Sequence, residues 1–109
     1  MAIIVQAMPG DDVLEIIVIN STEQRIKVKR ICFELSDGSP LYAVERWCKM
    51  STPVNPGKRG SFQVPFSVIR TRKAQGHPQS TAQAIRVEDN DGNSHVVPIP
   101  DNIRHMINS

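Results

Sequence analysis

Aromatic side chains are scarce in this chain, with three Phe, one Tyr and one Trp among 109 residues. Aliphatic β-branched residues must therefore fill the core. Cysteine is nearly absent as well. Cys32 and Cys48 are the only two, too few for the disulfide-dense scaffold of a small secreted domain. Both fall in apolar stretches, so two buried thiols are the preferred reading. A single bridge stays open if their strands are neighbours. With no second pair and no His at ligand spacing, a zinc site is not expected. The net charge is only +2, which argues for neither nucleic acid nor a membrane surface. No apolar run approaches the roughly 18 residues of a spanning helix. The opening Met-Ala-Ile-Ile-Val-Gln is too short for a signal peptide and lacks a basic start. The chain thus reads as a cytoplasmic protein or as one domain cut from a longer one.

Catalytic and cofactor patterns are missing too. No Ser sits in a Gly-x-Ser-x-Gly elbow. Gly57-Lys58-Arg59-Gly60 lacks the spacing of a nucleotide cradle. His77, His95 and His105 are far apart, and none has a carboxylate or thiol partner beside it in sequence. Glu88, Asp89, Asp91 and Asn93 form the only acidic cluster. Its oxygens alternate as calcium ligands do but fall out of register with a calcium loop. With Asp89 first, Gly92 comes fourth and position 100 is Pro, so turn chemistry is the preferred reading. Trp47, between Arg46 and Lys49, has the chemistry to stack on a base or sugar, but a lone Trp is more often a core residue. No enzyme activity, cofactor or metal is expected.

What is present is turn punctuation between apolar segments. An alternating stretch, Gln83 to Glu88, meets Asp89-Asn90-Asp91-Gly92-Asn93 and a second apolar stretch, Ser94 to Ile99. This is a β-hairpin written in sequence. Ala2–Ala7 predicts a first strand, and Met8–Asp12 a turn around Pro9-Gly10. Val13–Ile19 is almost continuously apolar, which predicts a central strand covered on both faces. Ile26–Leu35 has a break in its rhythm: Ile26 and Val28 share one phase, Ile31, Phe33 and Leu35 the other. A bulge at Lys29-Arg30 would reconcile them. Residues 41–50 fit either a bent edge strand or a helix capped by Ser39 with Pro40 first; the strand is preferred. Residues 51–60 read as a loop. Phe62 to Val68 alternate as a half-buried strand, with Pro65 demanding an edge. Residues 71–80 read as a long, basic, exposed loop. Pro100–Ile107 reads as one or two helical turns with Ile103, Met106 and Ile107 packed down.

Six or seven strands with turns roughly every 8 to 12 residues make one all-β domain over residues 1–109, a sandwich or small barrel. Three places resemble the small immunoglobulin-like β-sandwiches found as accessory or stand-alone domains. Val18-Ile19-Asn20, a polar turn and Ile26-Lys27-Val28 resemble a strand pair whose first member ends on Asn. Asn55-Pro56-Gly57, before Phe62, resembles the turn that launches a mid-domain strand. Val87-Glu88-Asp89 with Gly92 resembles the final hairpin. The likeness spans Val13 to Ile99. It implies an antiparallel immunoglobulin-like sandwich with room for one short helix, and a role in binding, adhesion or assembly. The antibody signature is absent, since Trp47 abuts Cys48.

The expected function is a non-enzymatic module that docks on another protein or on itself through a sheet edge. The alternative is binding of an anionic polymer, nucleic acid or acidic polysaccharide, through basic loops. Lys58, Arg59, Arg70, Arg72 and Lys73 are the candidate residues, with no acidic residue between positions 51 and 87.

Overall fold

The computed structural model describes residues 3–108. Its strands, in chain order, are β1 (Ile3–Pro9), β2 (Val13–Asn20), β3 (Ile26–Leu35), β4 (Pro40–Leu41), β5 (Thr52–Val54), β6 (Arg59–Pro65), β7 (Ala82–Asp89) and β8 (Ser94–Pro98). A 3₁₀ turn, Glu45–Cys48, lies between β4 and β5. Helix α1 (Phe66–Gly76) follows β6 directly, and helix α2 (Asp101–Asn108) follows β8.

The strands form two antiparallel sheets. The smaller runs β1-β2-β6. The larger runs β4-β3-β7-β8, with β5 also pairing β3. The hairpin is β7–β8, and Gly92 closes its turn at φ +84°, a backbone region glycine enters without steric cost. The bulge is present as well. The β3–β7 register slips between Val28 and Arg30, so Val28 and Ile31 both face inward. One cluster fills the space between the layers. Leu14, Ile16, Val18, Phe62 and Val64 come from the smaller sheet; Val28, Ile31, Phe33, Ile85 and Val87 come from the larger. Trp47 is fully buried beside Phe33, with ring centroids 6.2 Å apart. It plugs the stretch of β3 edge between β4 and β5.

The two helices close one end of the layers. Phe66 and Ile69 of α1 and Ile99, Ile103 and Ile107 in and before α2 extend the same core. The Asn108 side chain accepts from the Ala82 N–H (2.9 Å) and donates to its carbonyl (3.3 Å), tying α2 to the start of β7. The expectation for the C-terminal turns holds: Ile103 and Ile107 are buried and Met106 packs against the cluster.

Several expectations need correction. Residues 71–80 are not a loop. Most of them belong to α1, because Phe66 and Ile69, three apart, can both reach the core only on a helix, and Arg70, Arg72, Lys73 and Ala74 are good helix formers. The strand read through Val68 therefore stops at Pro65, which does lie at an edge. Residues 41–50 are mostly neither strand nor α-helix but a two-residue strand end and a 3₁₀ turn. The loop 51–60 contains β5. The described strands number eight rather than six or seven. β1 continues to Pro9, beyond Ala7; Ala2 lies outside the described residues. β2 is central in its sheet as expected; the second sheet covers its inner face, and on its outer face Ile17 is also buried and Val13, Glu15 and Ile19 are half-buried. The cysteines are unbridged, and Cys48 lies half-buried in the 3₁₀ turn, away from any strand.

Candidate functional site

The five candidate cations do not form one patch. Lys58 ends the turn before β6 and accepts a backbone hydrogen bond from Asn20 through its carbonyl. Arg59 opens β6 opposite Ile19. Arg70, Arg72 and Lys73 lie on α1, beyond the other end of β6. That strand has seven residues, about 20 Å at the usual rise. Arg70 is also engaged: its Nη1 donates to the Met106 carbonyl at 2.8 Å, near the C-terminus of α2. Arg72 is exposed and Lys73 half-buried.

Folding gives two of the histidines carboxylate partners that sequence spacing does not show. His95 Nε2 lies 3.0 Å from Asp89 Oδ2. Asp89 is buried, and its Oδ1 accepts the N–H groups of Asp91 (2.9 Å) and Asn93 (3.0 Å). Burial acts to raise its pKa, but the contact with His95 and the two amide bonds outweigh this and hold it below the ordinary value. The carboxylate thus organises the hairpin turn. His77 Nδ1 lies 3.4 Å from Asp37 Oδ2, and Ser80 Oγ donates to the same oxygen at 2.9 Å. Ser, His and Asp meet here in the wrong order for nucleophilic catalysis: the carboxylate sits between the other two, where a base should stand. Its role is to clip the end of α1 to the β3–β4 turn. His105 lies exposed on α2.

The outer faces of the two sheets differ. The larger sheet presents a charged ladder. Arg30 Nε meets Glu88 at 3.0 Å, and Arg86 Nε lies 3.8 Å from Glu88 and 3.7 Å from Glu34. Cys32, opposite Arg86, is buried among these side chains. Burial pushes its thiol pKa up against the opposing pull of Arg86, which makes it a poor nucleophile. The smaller sheet presents a mixed face of apolar and polar side chains, and the larger also exposes Val96 (53%) opposite Arg86. Ile17 and Ile19 of β2 stand beside Ile4 of β1, with Val13 and Met8 further along. Ile4 is 43% exposed and Met8 51%. Gln6, Glu15, Arg59, Ser61 and Gln63 complete this face. Sequence reasoning misses it because the same apolar run in β2 reads as cover on both sides.

The sheet edges are blunted. Each edge strand holds a proline: Pro9 in β1, Pro40 in β4, Pro53 in β5, Pro65 in β6 and Pro98 in β8. The interior strands β2, β3 and β7 hold none. A proline cannot donate to an added strand, so each of these edges offers a shortened ladder, with Pro9, Pro65 and Pro98 at the strand ends.

No protein-family model matches the chain, and neither a curated protein nor a solved structure resembles it at a significant level. No helix among the described residues is long and apolar enough to cross a membrane.

Proposed function

We propose that this chain is a non-enzymatic interaction module of immunoglobulin-like build, which docks on another protein through the outer face of the β1-β2-β6 sheet. Two exposed apolar side chains of that face carry the reading: Ile4, opposite Ile19, and Met8, opposite Glu15, stand on β1 with Gln6 between them. Exposed apolar side chains set among polar ones suit a protein interface. The proline in every edge strand favours docking by this face over strand addition at an edge.

The test compares the native protein with Ile4→Glu/Met8→Glu. Light scattering after gel filtration first reads self-association. A photo-crosslinking residue at position 6, between the two, then captures any bound protein. The expected result is a discrete crosslinked species that disappears in the double variant while the melting temperature is kept. Equal crosslinking in both proteins overturns the reading.

Binding of an anionic polymer is the second reading. Its support is α1, which carries Arg70, Arg72 and Lys73 and no acidic residue. Separation from Lys58 and Arg59 weakens it. Affinity that falls steeply with salt and is lost in Arg72→Gln/Lys73→Gln would establish it in place of docking.

A further inference from the structure

A second concave site lies where the two sheets meet along β5 and β6. At the turn end these strands touch. A Cβ placed on Gly60 would come within 3.2 Å of the Val54 side chain, so a larger residue here would press the two strands slightly apart. Away from that contact a cleft of about 340 Å³ opens, lined by Arg46, Lys49, Met50, Ser51, Thr52, Ser61 and Phe62. Its volume is at the low end for small-molecule sites. The 3₁₀ turn supplies Arg46 and the residue after it, Lys49; β5 supplies Thr52, and β6 supplies Ser61 and Phe62.

The chemistry of this lining is one-sided. It holds two cations, three hydroxyls and no carboxylate. Among the described residues neither Arg46 nor Lys49 has an ion-pair partner, and the hydroxyls of Ser51 and Thr52 have no hydrogen-bond partner. Ser61 donates to Glu15 Oε2 at 2.9 Å, an oxygen that Gln63 Nε2 also approaches at 3.2 Å. Glu15 is therefore held on the outer sheet face. Glu45, exposed at the start of the 3₁₀ turn, is the other nearby carboxylate and is not part of the lining. The groove beside the β7–β8 turn contrasts with this one in charge: its lining holds Glu23, Asp89 and Asp91 and no Lys or Arg.

We propose that the β5–β6 cleft binds the phosphate or sulfate group of a small organic ester. Arg46 and Lys49 would hold the oxyanion and the Ser51 and Thr52 hydroxyls would donate to it, while half-buried Met50 offers an apolar surface to the organic part. Unpaired cations and free donors converging on a concave surface are what recognition of such a group requires. The cleft shares Ser61 with the rim of the docking face, but its two cations, Arg46 and Lys49, lie outside that sheet, so different variants test the two readings.

The experiment is a titration of the full chain with inorganic phosphate, phenyl phosphate, phenyl sulfate and a phosphoserine peptide, followed by amide NMR shifts and calorimetry. Phenyl phosphate should bind saturably and more tightly than inorganic phosphate, and the shifts should concentrate at Ser51, Thr52, Ser61 and Phe62. The sulfate and peptide arms decide which source of the oxyanion the cleft prefers. Arg46→Gln and Lys49→Gln should each weaken binding about fivefold to tenfold, the effect of one partly solvated charge. Arg72→Gln/Lys73→Gln, on α1, should leave it unchanged. Absence of saturable binding by any of the four probes overturns the proposal. So does binding that survives Arg46→Gln/Lys49→Gln with an unchanged melting temperature.

Discussion

The side chain of Asn20, at the end of β2, donates a 2.9 Å hydrogen bond to the carbonyl of Val54 in β5, joining the two sheets from inside. The same amide donates to the Gln24 carbonyl at 2.8 Å, and its oxygen accepts from the Thr22 N–H and hydroxyl. The backbone of Asn20 also exchanges bonds with Gly57 and Lys58. One fully buried residue thus fixes two turns and the near end of the β5–β6 cleft.

Asn20→Ala should be among the most damaging single changes in the molecule. It strands the buried Val54 carbonyl, removes the acceptor of the Thr22 N–H and hydroxyl, and should cost about 1–3 kcal/mol. Asn20→Asp should not rescue, because a carboxylate keeps the acceptor but turns oxygen toward the Val54 and Gln24 carbonyls. Urea denaturation of both variants checks this; wild-type stability of Asn20→Asp would remove the donor role.

Arg70 has a structural job that its neighbours lack. Its guanidinium bonds the Met106 carbonyl and joins α1 to the end of α2, where a cation is favoured. Arg70→Gln should cost about 0.5–1.5 kcal/mol. Arg72→Gln and Lys73→Gln should each stay within about 0.5 kcal/mol. Thermal melts of the three single variants give the comparison, and equal losses at all three would contradict it.

Asp37 should make stability fall with acid. The Ser39 N–H and then the Ser80 hydroxyl, with His77 beside them, lower its pKa from 3.8 to about 2. A carboxyl with a depressed folded-state pKa contributes stability that is present above its unfolded value and lost as pH drops through the folded one. The window therefore runs from about pH 4 down to about pH 2. Asp37→Asn should melt lower than the native protein at pH 7, and the two should converge as pH approaches 2. A gap that persists at pH 2 would show that shape, not charge, is what the residue supplies.

Asp89 should govern the hairpin. Asp89→Ala removes the acceptor of two turn amides and the partner of His95 and should cost about 2–3 kcal/mol. Asp89→Asn should recover part of that, since its oxygen can still take the amides. Hydrogen exchange at Asp91 and Asn93 reads the effect locally. Protection unchanged in Asp89→Ala would assign the turn to Gly92 alone.

The parts of the fold legible in the sequence are those set by neighbours along the chain. Asp-Gly chemistry makes the β7–β8 turn, the phase slip between Val28 and Ile31 makes the bulge, and Ile103 and Ile107 place α2. Phe62, Val64, Phe66 and Val68 mislead because a strand period runs on into the first turn of a helix. Only the need to bury Phe66 and Ile69 together separates the two, and that depends on a core built from distant segments. The candidate sites are hidden for the same reason. Residues 46–52 meet Ser61 and Phe62 only through strand pairing with β3 and the close approach of Val54 to Gly60. An apolar run says that a strand can be buried, but whether its second face is covered depends on what the rest of the chain packs against it. The composition and turns of this sequence determined a layered antiparallel β protein; the tertiary structure decided which apolar side chains stay exposed and which cations are left unpaired, because both follow from contacts between residues far apart in the chain.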